Sequence, residues 1–519
     1  MDSHIITSYN ESDPLSPAGK PELVFGIVAP AGAQRDTVYQ ELSSKLEEYG
    51  YKSHRIRVSD LIKEHSLWDD NTSQDEASRI HLLMDLGNKI RERSELADAM
   101  AIMAIAKIVS IRKESGNYYG YAKGANAYII DSLKNPTEIS ALRAIYGSGF
   151  VLISAYSDHE QRIVHLSSRI ANSRFKPGDK HKTRSDAEAI ISRDDQEEGN
   201  EFGQNVQNCF PKADFFLNLD QPHKEIKDSL ERYLKVIFNH PFITPTRDEC
   251  GMFHAEANSW RSADLSRQVG AAICTKEGEV LALGCNEVPK AHGGLYWDGD
   301  ENDGRDFQKG KDKGAEHKRI MVAEIIRKIM SSDDFDGAQK ERLNELIKKT
   351  ITGSDDKVLH GLQALNVIEY GRTVHAEMAA LTDAAKRGVS VKGAVIYVNT
   401  FPCHLCARHI ISSGISRVVY IEPYPKSLTA DLFDDSISVG KETQNPKKIS
   451  FEPFTGIAPR QYQFAFQSTR KRKNKGGIVT EWTKIEATTK LKRYVTSYLA
   501  IELGIVSNLL PKVMEADDE

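Results

Sequence analysis

His375-Ala376-Glu377 and Pro402-Cys403-His404-Leu405-Cys406 set one imidazole, one carboxylate and two thiols on two short stretches of chain. An imidazole and two thiolates are three donors for zinc, and they leave the fourth tetrahedral position to a water. Zinc lowers the pKa of such a water from about 15.7 toward about 7. Glu377 then takes the water's proton and passes it to a ring nitrogen. Hydroxide adds to an amidine-like carbon, and ammonia leaves after a second transfer through the same carboxylate.

Spacing restricts how these residues can be held. Side chains two apart on a helix do not share a face. His375 and Glu377 therefore reach one site only at a helix's first turn, entered from the loop Gly371-Arg372-Thr373. Cys403 and Cys406, three apart, share a helical face just after Pro402. There the positive end of the macrodipole favours thiolates. A histidine, a glutamate two residues on and a proline-led cysteine pair form the H-x-E…P-C-x-x-C pattern of zinc nucleobase deaminases. The tripeptide alone says little, because His254-Ala255-Glu256 repeats it without a following P-C-x-x-C. That copy reads as part of an amphipathic helix. A purely structural zinc needs a fourth protein ligand, for which His404 and His409 are the candidates.

The elements that must position these groups are legible in outline. Residues 1–20 read as a disordered tail. Glu22–Ala29 reads as a buried strand, followed by Pro30-Ala31-Gly32-Ala33, a helix over 36–49 and a strand over 52–58. Strand, glycine turn, helix, strand opens a parallel α/β domain, taken as 21–240. Further strands are expected at 127–130, 150–154 and 215–219, with a helical stretch over 78–111. The polar segment Asn172–Asn205 reads as a mobile loop or lid.

A second domain, 249–290 and 366–450, opens with a helix to about Arg267 and strands at 269–274 and 280–285. It resumes with helix 375–387, strand 394–400, helix 403–413 and strand 417–421. The two helix N-termini then meet at one edge of a sheet, where open α/β sheets bind ligands. Residues 291–365 read as an insertion with helices near 315–330 and 337–350, and 451–519 as a C-terminal extension carrying the basic run Arg470–Lys473.

Composition narrows the class. With 519 residues, two or three domains are expected. A formal net charge of -5 argues against a nucleic-acid coat. Six cysteines in so long a chain are no disulfide framework. The start lacks an apolar signal segment, and the most apolar run, Ala99–Ile111, is too short to span a bilayer and reads as a core helix. A reducing, cytoplasmic setting without membrane partners is the expectation.

Three segments carry a closer resemblance. Arg261–Ile273 resembles the opening of deoxycytidylate (dCMP) deaminases. Gly284-Cys285-Asn286 with Pro289 resembles their G-x-N element, and Tyr397–Ala407 their second zinc motif. The resemblance implies that Asn286 contacts the nucleotide sugar. Ser266, Arg267 and Gln268 are candidate nucleotide contacts, and Arg267 is chemically suited to phosphate.

Phe25–Ala33, Tyr128–Glu138 and Phe150–Ser154 resemble P-loop nucleoside-phosphate kinases, which makes Gly26 and Gly32 candidate nucleotide-binding residues. After Gly32, however, comes Ala33-Gln34-Arg35-Asp36-Thr37, without the Lys-Ser/Thr pair. Regulatory nucleotide or inhibitor binding, or a structural role, is then expected in place of kinase catalysis.

A degenerate kinase-like domain fused to a dCMP-deaminase-like domain, with Phe451–Arg460, resembles the bacterial anti-phage dCTP/dCMP deaminases. That resemblance implies zinc-dependent conversion of dCTP to dUTP and dCMP to dUMP, depletion of dCTP in antiviral defence, and a homo-oligomer. Three alternatives stand beside it: a housekeeping dCMP deaminase, a deaminase of RNA or single-stranded DNA, and a nucleotide-sensing protein with a structural zinc.

Overall fold

The computed structural model describes residues 20–68, 75–115, 125–174, 180–197, 199–332, 335–352, 370–423, 427–440, 447–491 and 495–515. The expected disordered tail and the end of the expected insertion lie outside these. Two compact units are formed, one by residues 1–249 and 453–519 and one by 250–452. Among the described residues no helix is long and apolar enough to cross a membrane.

The first unit begins β1 (Leu23–Val28), α1 (Arg35–Glu48), β2 (Lys52–Arg57) and α2 (Val58–Glu64). There follow α3 (Glu76–Ser94), α4 (Ala99–Glu114), β3 (Asn126–Asp131), α5 (Pro136–Tyr146), β4 (Phe150–Tyr156), α6 (His159–Ser173) and α7 (Lys180–Asp195). The run closes with α8 (Val206–Cys209), β5 (Phe215–Asn218) and α9 (His223–Ile237). β1 runs parallel to β3 on one side and β4 on the other. The apolar run of β1 is buried along its whole length, as a central parallel strand requires.

Two expectations are corrected here. The helical stretch 78–111 is two helices, because Glu95 takes a left-handed conformation (φ 54°) that caps α3. The expected lid over 172–205 is largely helix. α7 buries Ala187, Ile190 and Ile191 against Ile163, Leu166 and Ile170 of α6. Its apolar residues are few, but they fall on one face.

α10 (Arg247–Ser259) leads into the second unit. This helix stops at Ser259 and does not reach Arg267 as expected. β6 (Gly270–Cys274), β7 (Val280–Cys285), α11 (Lys313–Met330), α12 (Gly337–Thr352) and α13 (Ala376–Arg387) come next. The unit is completed by β8 (Val395–Thr400), α14 (His404–Ser412), β9 (Arg417–Glu422), α15 (Thr429–Leu432), β10 (Ile437–Val439) and β11 (Ile449–Pro453). The sheet order is β10-β11-β9-β8-β6-β7, with β6 antiparallel to β7 and β8, and β8 parallel to β9. Ala376, Ala380 and Ala384 of α13 pack on Ala271, Ile273 and Ala282 of the sheet.

The chain then rejoins the first unit. β12 (Gly456–Ile457) pairs antiparallel with β5, giving the sheet order β12-β5-β4-β1-β3-β2. α16 (Tyr462–Phe466), α17 (Val495–Asn508) and α18 (Leu510–Met514) follow. Glu502 of α17 and Glu22 both grip the buried Arg112 guanidinium, at 2.6 and 2.9 Å. Both units are mixed α/β, built on largely parallel sheets.

Candidate metal centre and catalytic site

Gly284 sets the site's geometry. A Cβ there would lie 2.2 Å from the Ala376 carbonyl oxygen and 2.4 Å from the Ala380 nitrogen. Only glycine lets the first turn of α13 lie directly on β7. His375 is the N-cap of that helix in an extended conformation, and Glu377 sits in its first turn. Cys403 is likewise the extended N-cap of α14, with Cys406 inside its first turn. Both pairs thus straddle a helix start, as the spacing requires.

The two helix starts converge. His375 Nδ1 lies 3.4 Å from Cys403 Sγ and 3.5 Å from Cys406 Sγ. Bond lengths of about 2.0–2.1 Å to nitrogen and about 2.3 Å to sulfur put tetrahedral N and S donors about 3.5–3.6 Å apart. The three residues fit zinc closely. Their donor atoms lie within 4.8 Å of one another, and among the described residues neither His404 nor His409 joins them.

The electrostatics suit the same ion. Cys403 is pulled down, first by its hydrogen bond with Cys406 and, after burial's opposing push, by His375. Cys406 is pushed up because it shares that hydrogen bond and is buried. His375 is pushed up to about 9, chiefly by its hydrogen bond to Cys403. A divalent cation satisfies both thiolates at once. Glu377 is buried, and burial followed by the nearby Cys403 thiolate raises its carboxyl. A carboxyl displaced upward in this way holds a proton more readily than an ordinary carboxylate, as a proton shuttle requires.

The other expected residues fall in different places. Asn286 is buried just beyond β7, and both ends of its amide are engaged. Its Oδ1 accepts from Val269 N at 2.7 Å, and its Nδ2 donates to the Arg267 carbonyl at 2.7 Å. The Arg267 side chain is half-exposed and lies 3.3 Å from Glu422. Glu287, beside Asn286, pairs with Val374, which precedes His375. Asp264 accepts from the Thr373 hydroxyl at 2.8 Å. These bonds bring the Asn286 edge and the 262–269 segment to the entrance of α13.

The second H-A-E copy does not join the metal group. Glu256 instead accepts from Asn399 Nδ2 at 3.2 Å, while Asn399 Oδ1 accepts from Gly270 N at 3.1 Å. The P-loop-like glycines belong to the first unit. Gly26 lies inside β1, where a Cβ would meet Leu133 and Phe150 at 2.8 Å. Gly32 lies in the following turn with φ +85°.

Sequence reasoning missed three contributors: Gly284 as the seat of α13, Asn399, and the Asp264–Thr373 bond. Gly284 carried a signal, since a glycine inside a strand marks close backbone approach. The two hydrogen bonds link residues more than a hundred positions apart, and no local pattern reports them.

Residues 245–422 match the cytidine and deoxycytidylate deaminase zinc-binding region. This deaminase region contains all three metal-group residues and Glu377. Deoxycytidylate deaminase from Enterobacteria phage T2 is 40% identical over 80 residues, 15% of this chain and 42% of that protein. Mouse deoxycytidylate deaminase is 37% identical over 161 residues, 31% of this chain and 56% of that protein. The chain therefore spans about half or less of these relatives' own length. The crystal structure of cyanophage S-TIM5 dCMP deaminase with dCMP and dUMP aligns over 41% of this chain and 100% of its own, at 19% identity and TM-score 0.22.

Proposed function

We propose that this protein hydrolytically deaminates deoxycytidine nucleotides, with zinc held by His375, Cys403 and Cys406. The observation that carries the proposal is the donor triangle at 3.4 and 3.5 Å, with the buried Glu377 two residues beyond His375 in the same first turn of α13. When bound, zinc supplies an activated water at neutral pH. Glu377 accepts that water's proton and delivers it to the ring nitrogen of the cytosine. The same carboxyl then takes the remaining proton of the added hydroxyl and passes it to the amine, which leaves as ammonia while the carbon–oxygen double bond of uracil forms. The burial that raises Glu377 also keeps bulk water from competing for its proton.

The family match and the relatives named deoxycytidylate deaminases support a dCMP substrate. The fused first unit supports the further reading, in which dCTP is also converted and its depletion serves antiviral defence. In that reading Asn286 and Arg267 line the nucleotide side of the site, and the first unit provides control. A housekeeping dCMP deaminase is favoured instead if dCMP alone turns over.

Glu377→Gln tests the assignment. The variant is expected to retain zinc, measured by mass spectrometry of the purified protein, and to lose about 10²–10⁴-fold in kcat. Wild-type turnover in the zinc-loaded variant sinks the proposed role.

A further inference from the structure

The turn after β1 lies at the switch point of this parallel sheet, where such sheets bind ligands, because the chain leaves β1 toward β2 on one side while the adjacent β4 leads to β5 on the other. In nucleotide-binding proteins, backbone N–H groups and a lysine there cradle phosphate. Here another group already occupies the position. Asp194, from the last turn of α7, is fully buried and accepts from the Ala31 N–H at 2.7 Å. Its two carboxylate oxygens lie 2.8 and 2.9 Å from Lys134 Nζ. Lys134 comes from the loop after β3, not from the turn, and it also donates to the Ala29 carbonyl at 2.9 Å.

The neighbouring cations are matched as well. Asp131 holds Arg35 and Arg55 at 3.0 Å each, and Asp195 takes Arg162 at 3.1 Å. The Ala33 N–H is turned back onto the Pro30 carbonyl at 3.1 Å. α6 closes the turn from the other side, since a Cβ on Gly32 would lie 2.5 Å from the Arg162 carbonyl oxygen.

We propose that this turn is an anion-binding site whose resident anion is the chain's own Asp194 carboxylate, so that a polyphosphate group binds there only where that carboxylate is removed or displaced. Lys134 replaces, from a different element, the lysine that the turn lacks. Asp194 supplies the negative charge that a pyrophosphate group would bring. The position of Asp194 on α7 gives the contact a consequence. Displacing the carboxylate removes the polar bonds that seat the end of α7 on the turn. The inference does not rest on the deaminase assignment.

The probe is inorganic pyrophosphate, titrated calorimetrically into the full-length chain. Asp194→Ala is expected to bind it at least tenfold more tightly than wild type. Hydrogen exchange should locate the protection at residues 30–37. Adding Lys134→Ala should abolish the gain, which separates this site from any pyrophosphate bound in the second unit. Equal affinity in wild type and Asp194→Ala, or a gain that survives Lys134→Ala, overturns the proposal. Asp194→Asn covers the case in which alanine impairs folding. It keeps an acceptor for Ala31 but not the charge, and it should show faster exchange over 185–195 together with a smaller gain in affinity. Wild-type exchange and affinity in that variant overturn the proposal equally.

Discussion

Asn286→Ala separates a residue that holds the site together from one that only touches substrate. Asn286 ties Val269 N and the Arg267 carbonyl with two 2.7 Å bonds, and its own N–H donates to the Val269 carbonyl at 3.0 Å. Alanine keeps the backbone bond and removes the other two. Each lost bond is worth about 1 kcal/mol net, and a buried N–H left without a partner costs about 1–3 kcal/mol more. The exposed Arg267 can offer its carbonyl to water, so one orphan, Val269 N, is counted. The total is about 3–5 kcal/mol, read as a lowered urea midpoint with unchanged slope.

Asn286→Asp adds a pH signature. One carboxylate oxygen still accepts from Val269 N, but the other faces the Arg267 carbonyl oxygen with no proton between them. A protonated carboxyl restores that bond, so the folded-state pKa of the new group is raised. Its stabilisation is present below the unfolded value of about 3.9 and is lost as pH rises through the folded value. The aspartate variant should therefore approach wild-type stability toward pH 4 and fall below it at pH 7. Wild-type urea midpoints for both variants, with only KM raised, refute this reasoning and leave Asn286 a substrate contact alone.

Two further predictions concern stability. Arg112→Met leaves the buried Glu22 and Glu502 carboxylates facing each other and should cost about 3–5 kcal/mol. Glu502→Gln leaves Arg112 paired with Glu22 and should cost about 1 kcal/mol; chemical denaturation that ranks the two the other way refutes the network. Burial raises the Glu256 carboxyl, so its stabilisation is present at acid pH and lost as pH rises through the folded value. Glu256→Gln should match wild type in thermal melts near pH 4 and exceed it at pH 8, and a constant difference across that range contradicts the assignment.

The metal group was legible because its chemistry is written locally. Two helix starts, each carrying ligands within four residues, needed only a sheet to bring them together. β1, β3 and β4 were legible for the same reason, as short apolar runs bounded by turns. The 172–205 segment was misread because α7 has low overall hydrophobicity and reveals its apolar face only against α6. α10 was read too long because nothing in Trp260–Gln268 forbids helix. Its end is set by long-range bonds instead, from Glu287 to Ala263 N and from Asn286 to Val269 N. Asp194 left no signal at all, since its partners Ala31 and Lys134 are distant in sequence.

The central claim is tested most directly by supplying the zinc-loaded protein with cytosine, cytidine, dCMP, dCTP, CTP and a cytosine oligonucleotide, and measuring uracil products by chromatography. The account predicts dUMP from dCMP and dUTP from dCTP, with the oligonucleotide unchanged. Conversion of the oligonucleotide alone, or no uracil product from either deoxycytidine nucleotide, would contradict it.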